Sequence, residues 1–362
     1  MEKLFIPTDR IGLESYQKSI SATFSAINKL LSEGCIPEWH TGGITFTSTP
    51  NWPEGHYYQN GFSVEDTGRY AEILNSYDII HERVQMPSNG KKVRKKNIAV
   101  YNGRGAGEDF SAPLLEVLKW GGFNYELISD TDIRMGKLNN FGIFLVPGSP
   151  DAGECYYAGL GEKGYDEIRS FLASGGEYLG ICGGAYLPMT SYNTQNRYWL
   201  NIVEATDTED LDYWRTGSGF IRCRIEDNCH PIFTSIALGV SSTMNLVYWE
   251  GPAITIKGSN VKSLAHYETL LANGREYRPY WDMQDNTMAR EASCNWYNPV
   301  TPEIFGKLLY RKTAFAEASY KNQRILLFSP HPEMGNIGYG PRKDSLNFLL
   351  IYNGLTYLST EK

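Results

Sequence analysis

Tyr178-Leu179-Gly180-Ile181-Cys182-Gly183-Gly184-Ala185-Tyr186 is an apolar run that drops straight into a small-residue turn with a cysteine at its apex. Ala185-Tyr186-Leu187 can begin a helix directly afterwards. A strand-to-helix elbow of this kind is strained, and the neighbours of its apex must be small to avoid collision. The helix that follows aims its first N–H groups near the sulfur, which favours thiolate and offers donors for an oxyanion. A buried cysteine on a plain glycine turn would produce the same nine letters, because cysteine is commonly buried.

Upstream of the elbow the chain alternates between short apolar runs and helical spacing. Ile98-Ala99-Val100-Tyr101 reads as a strand that ends in Asn102-Gly103-Arg104-Gly105-Ala106-Gly107. Ala112 to Trp120 carries helical spacing and stops at Gly121-Gly122. Tyr125 to Ile128 is a second strand, and Phe141 to Val146 a third, closed by Pro147-Gly148-Ser149-Pro150. Tyr165 to Ala173 is a helix that ends at Gly175-Gly176 and leads into the elbow strand. This alternation predicts an α/β fold whose parallel, flavodoxin-like sheet is covered by helices on both faces. Ligands of such sheets sit beyond the carboxyl ends of the strands, where each of these loops falls. The glycine loop 103–107 suits an anion at a helix N-terminus, although Glu108 breaks the dinucleotide spacing.

Downstream, Arg324 to Phe328 is a strand followed at once by Ser329-Pro330-His331-Pro332-Glu333. A thiol nucleophile needs a base, and the base needs an orienting acceptor. His331 and Glu333 can supply both from one side of a loop, so Cys182, His331 and Glu333 are the expected catalytic residues. A surface turn is the lesser, competing reading of Ser329 to Glu333 taken alone.

Gly-Ile-Cys-Gly-Gly with a later His-Pro-Glu resembles the class I glutamine amidotransferase-like superfamily. The likeness is strongest to the branch found as the N-terminal domain of biotin-protein ligases and as free-standing bacterial proteins. It is carried by Tyr101 to Gly105, Val146 to Gly148, Gly175 to Cys182, Val247 to Pro252 and Phe328 to Glu333, and spans about residues 95–340. The resemblance implies Cys182 as nucleophile, His331 as base and Glu333 as its orienter. It also implies an oxyanion hole of backbone N–H groups near Gly148, Ser149 and Gly183. Gly103, Arg104, Trp249 and the Tyr213 to Gly219 stretch are expected to line the substrate pocket, with Arg215 holding a carboxylate. In one respect the chain departs from the pattern. Working glutaminases usually carry Cys-x-Gly-x-Gln, and Tyr186 stands where the substrate-gripping glutamine would be.

Residues 1–94 read differently, as a small α+β domain before the amidotransferase-like part at 95–362. A helix is expected from Leu13 to Ser32 with Gly34 at its C-terminal end. Short strands and turns rich in Gly, Pro, Trp and Tyr follow, Asn51 to His56 among them, and Pro87 to Gly90 reads as a linker. The segment faintly resembles the one that joins a zinc carboxypeptidase module to a comparable domain in some bacterial proteins. No His-Glu-x-x-His occurs, and Cys223 with Cys229-His230 fits no common zinc spacing, so neither a metal nor another cofactor is expected.

The 362 residues carry a formal net charge of −7 with acids and bases interspersed, so nucleic acid is not an expected partner. Lys91 to Lys96 is a short basic run that reads as a solvated linker. No apolar run approaches the ~18 residues that cross a bilayer, and the first residues lack a signal-peptide core. Six scattered cysteines do not form a disulfide framework, which suggests a reduced, cytoplasmic setting. Tyr277 to Trp281 and Trp296-Tyr297 are candidates for a lid. Three functions compete: a cysteine hydrolase or amide/acyl-transfer enzyme acting on a carboxamide or peptide-like substrate; a non-catalytic binding or regulatory module working with a ligase or peptidase partner or as a homo-oligomer; and a redox-sensing thiol protein.

Overall fold

The computed structural model describes residues 2–11, 14–15, 17–46, 57–85, 90–106, 108–149, 152–190, 197–207, 217–236, 242–273, 300–335 and 344–362. Two sheets organise them. The first is five-stranded and built from β1 (Glu2–Pro7), β2 (Glu38–Phe46), β3 (Tyr57–Glu65), β4 (Glu82–Gln85) and β5 (Lys91–Lys92) in the order β4-β1-β3-β2-β5, antiparallel throughout. Helices α1 (Ile20–Ser32) and α2 (Gly68–Ser76) belong to the same stretch of chain.

The second sheet has nine strands: β6 (Ile98–Tyr101), β7 (Tyr125–Ile128), β8 (Ile143–Val146), β9 (Glu177–Ile181), β10 (Ser218–Ile225), β11 (Thr243–Trp249), β12 (Val261–Asn273), β13 (Thr313–Tyr320) and β14 (Gln323–Phe328). Their order is β11-β10-β12-β13-β14-β9-β8-β6-β7. Only the strands from β14 to β7 are parallel; β13, β12, β10 and β11 extend the sheet antiparallel from β14. The fully parallel sheet expected from the sequence is therefore corrected to a mixed one. A hairpin joins β13 to β14, and an antiparallel strand needs no helical crossover to return.

The parallel strands inside the edge strand β7 are buried on both faces, as their unbroken apolar runs require. Ile98, Val100, Ile143, Leu145, Leu179, Ile181, Leu326 and Phe328 face one core with α3 (Glu108–Trp120) and α6 (Phe348–Leu358). Ala99, Tyr101, Phe144, Val146, Tyr178, Ile325 and Leu327 face the other with α4 (Glu154–Ala173). The first core continues without interruption into α1 and the five-stranded sheet through Phe24, Ile27, Trp39 and Phe62. Polar ties cross the same seam: the Ser19 hydroxyl donates to Asp344 at 2.7 Å, and Asn28 donates to the Gly121 carbonyl at 2.8 Å.

Helix boundaries also move. The first helix begins at Ile20 and not at Leu13, because the Ser19 side chain caps the Ala22 N–H and ends the extended chain there. Gly34 is left-handed (φ +88°), as its place after the helix suggested. The helix expected from Tyr165 reaches back to Glu154, interrupted at Gly161, whose φ of 59° and ψ of −175° suit glycine alone.

Among the described residues, no helix is long and apolar enough to cross a membrane. Five cysteines, Cys35, Cys155, Cys182, Cys223 and Cys229, are free thiols.

Candidate functional site

The order β14-β9-β8 places the carboxyl ends of three parallel strands side by side, about 5 Å apart. Ser329 to Glu333 follows the first, Cys182 the second and Pro147-Gly148-Ser149 the third. Backbone bonds stitch them together. Cys182 N–H donates to Phe328 O at 2.8 Å, and Gly184 N–H donates to Pro147 O at 3.1 Å.

Cys182 has φ 51° and ψ −109°, a conformation costly for any residue with a Cβ, on the order of 1–3 kcal/mol. It opens the short helix α5 (Gly183–Tyr186). The turn needs its glycines for want of space. A Cβ on Gly184 would lie 2.1 Å from Val146 O, one on Gly180 2.1 Å from Gly184 O, and one on Gly183 2.6 Å from Ser149 N. The Gly183 N–H heads the helix, so no carbonyl of that helix can accept from it. Gly183 and the Ser149 amide thus approach each other beside Cys182, while Gly148 is buried at the foot of the same loop.

His331 is held from three sides. Its N–H donates to Val247 O at 2.9 Å, a bridge that brings β11, the far edge of the sheet, back to the end of β14. Its ring is close enough to Cys182 to feel the sulfur charge and, through Nδ1, hydrogen-bonds Glu333 Oε1 at 2.6 Å. Cys182, His331 and Glu333 are 3%, 0% and 1% exposed. Burial pushes the imidazole towards its neutral form, but the sulfur and carboxylate charges outweigh it and raise the pKa above the usual value. Sequence-expected Cys182, His331 and Glu333 therefore meet in space, with Gly183 and Ser149 against them.

Other expected residues fall differently. Trp249 contacts the sulfur through its backbone: its carbonyl accepts the Cys182 thiol at 3.3 Å. Gly103 and Arg104 surround a carboxylate of their own chain. Asp130 accepts the Arg104 N–H at 2.9 Å and the Tyr101 hydroxyl at 2.5 Å, and a Cβ on Gly103 would sit 2.4 Å from it. Arg215, the proposed carboxylate holder, and the lid candidates Tyr277 to Trp281 and Trp296-Tyr297 lie outside the described residues, as do Asn51 to His56.

Sequence reasoning missed several neighbours. Tyr156 donates to Pro147 O at 3.0 Å and feels the Cys182 charge, and Tyr178 donates to Gly184 O at 2.6 Å. Both belong to apolar-looking segments, where only a polar tip aimed at the elbow distinguishes them. Tyr186, in the place of the usual glutamine, points its hydroxyl at Asp207 Oδ2, 2.8 Å away. Among the described residues, no group of three or more His, Cys, Asp or Glu side chains gathers as a metal site would need.

Residues 96–214 match the family described as biotin-protein ligase, N terminal. No curated protein matches the chain. Among solved structures it is similar to a putative ThuA-like protein from Bacteroides uniformis, at 12% identity over 76% of this chain and 95% of that one, with a TM-score of 0.42. It is similar to PurLQS from Thermotoga maritima at 14% identity, over 73% and 99% of the two chains, with a TM-score of 0.46. A third similarity, to a glutamine amidotransferase, has 15% identity over 72% and 98% and a TM-score of 0.43. Superpositions this loose bear on neither activity nor substrate. The family match covers about a third of the chain and includes the Cys182 elbow but neither His331 nor Glu333.

Proposed function

We propose that the protein is a cysteine-dependent hydrolase or amide/acyl-transfer enzyme acting on a carboxamide or peptide-like substrate. The observation that carries this reading is the buried cluster of Cys182, strained at the elbow, His331 beside its sulfur, and Glu333 on the imidazole Nδ1. In the reaction, His331 takes the thiol proton as the Cys182 sulfur attacks the amide carbon. Backbone N–H groups near Gly148, Ser149 and Gly183 hold the oxyanion. The C–N bond then breaks as His331 returns the proton to the leaving amine, which leaves a thioester. Attack by water or an acceptor amine on the thioester releases the product and restores the thiol. Glu333 keeps the Nδ1 proton in place and supports the imidazolium.

In this reading residues 95–362 form the enzyme domain and residues 1–94 a small α+β domain appended to it. The setting is cytoplasmic, and neither metal nor other cofactor takes part. Arg215 and Trp249 contribute to the substrate pocket.

A second reading, a non-catalytic binding or regulatory module beside a ligase or peptidase partner, is favoured by Tyr186. Its hydroxyl is committed to Asp207 and does not replace a glutamine-gripping amide. Small-electrophile labelling followed by peptide mass spectrometry separates the two. The enzyme reading expects Cys182 to react well ahead of the other five cysteines at neutral pH. An inert Cys182 in a chain that co-purifies with a stable partner supports the module.

A further inference from the structure

We infer that Tyr186 and Asp207 form a positioning pair that sets the Trp249 carbonyl against the Cys182 thiol and so controls where its proton rests. The inference rests on the reading of Cys182 as the nucleophile. Tyr186 stands four residues after Cys182, on the elbow helix itself. Its hydroxyl donates to Asp207 Oδ2 at 2.8 Å and reaches Glu250 O at 3.4 Å. The other carboxylate oxygen of buried Asp207 accepts the Ala253 N–H at 2.7 Å. One carboxylate therefore ties the nucleophile's helix to the segment 249–253, whose first carbonyl accepts the thiol at 3.3 Å.

That segment is held at nearly every peptide. Glu250 N–H donates to Gly217 O at 2.9 Å, and the Tyr248 hydroxyl to Gly251 O at 2.8 Å. A Cβ on Gly251 would lie 2.1 Å from Ser329 O. Glu250 has φ 51°, a left-handed value that a glutamate keeps only when its surroundings over-determine it. Of these ties, the Tyr186–Asp207 bond comes from the elbow helix and fixes the loop relative to the sulfur. It is a structural use of the position where a substrate-gripping residue would stand.

The carbonyl presents its negative end to the sulfur, which favours S–H over thiolate. Among the described residues, the other groups around the thiol include His331, with Glu333 behind it, and the hydroxyls of Tyr156 and Tyr186, which feel the sulfur charge. The carbonyl thus opposes the pull of His331 on the thiol proton. Loosening the pair releases the carbonyl and lets thiolate form at lower pH.

The test is the ultraviolet absorbance of the thiolate against pH, taken as the difference from a matched Cys182→Ser chain, in wild type, Tyr186→Phe and Asp207→Asn. Asp207→Asn keeps an acceptor for Ala253 and carries the test if Tyr186→Phe does not fold. We expect the midpoint to fall by about half a pH unit or more in each folded variant, roughly threefold more thiolate below the midpoint. A midpoint that stays or rises overturns the inference, even if thermal stability drops. A wild-type midpoint equal to that of an ordinary thiol would remove the activated-nucleophile reading instead, and the shift between variants would still decide the positioning role.

Discussion

His331 Nδ1 and Glu333 Oε1 lie 2.6 Å apart, two residues from each other in sequence, and almost no surface of either side chain reaches solvent. A carboxylate on Nδ1 fixes the tautomer and leaves the other ring nitrogen to serve the thiol. Glu333→Gln removes the charge and keeps the shape. It is expected to slow Cys182 alkylation at neutral pH by roughly tenfold, the effect of about one pKa unit. Stopped alkylation reactions read by mass spectrometry check this, and an unchanged rate would leave Glu333 without a role.

The raised pKa of His331 fixes the sign of a second expectation. Burial lowers it, while the Cys182 and Glu333 charges raise it further. Below the ordinary imidazole value of 6.5, folded and unfolded chains both hold the proton and the contribution to stability is whole. As pH climbs from there through the higher folded value, the unfolded chain has given up its proton first, and stability is lost. Urea unfolding from pH 6 upward should show this decline in wild type and a flatter profile in Cys182→Ser, which lacks the sulfur charge. Identical profiles would contradict the coupling.

Steric demand at the elbow is tested by Gly184→Ala. The added methyl meets the Val146 carbonyl, which belongs to a central strand and cannot yield, so a loss of about 2 kcal/mol or more is expected. Gly68→Ala, at a helix start with nothing within 4 Å, should change stability by no more than about 0.5 kcal/mol. Denaturant midpoints of the two variants provide the comparison.

At the opposite end of the strands, Glu177 is buried and accepts from the Arg324 backbone at 2.6 Å and from its guanidinium at 3.1 Å. The same guanidinium reaches Leu358 O and Thr360 O, which ties the C-terminal helix to the sheet. Arg324→Ala leaves the buried carboxylate to Lys362 at 3.4 Å and Lys96 at 3.8 Å and should cost about 3 kcal/mol, with no change in the pH profile of Cys182. Calorimetry and alkylation read the two halves of that statement.

What could be read from the sequence followed from local signals. Short apolar runs closed by Gly or Pro marked β6, β8 and β9, and the elbow marked the place where such a strand meets a helix with a cysteine between glycines. The antiparallel half was hidden because β12 (Val261–Asn273) mixes polar and apolar residues without clean alternation and bends at register shifts against both neighbours. The early start assigned to α1 overlooked Ser19 as a cap. His331 and Glu333 were legible because they share one loop with each other. The Trp249 carbonyl was not, since a backbone acceptor leaves no trace in residue type. Tyr186 was legible as a departure but not as a clamp, because its partner Asp207 lies 21 residues on.

The most direct test of the central claim is the alkylation rate of Cys182 against pH in wild type and His331→Ala. The account predicts a plateau that begins well below the ~8.5 of an ordinary thiol in wild type and disappears in the variant. A wild-type rate that follows an ordinary thiol, unchanged by the substitution, would contradict it.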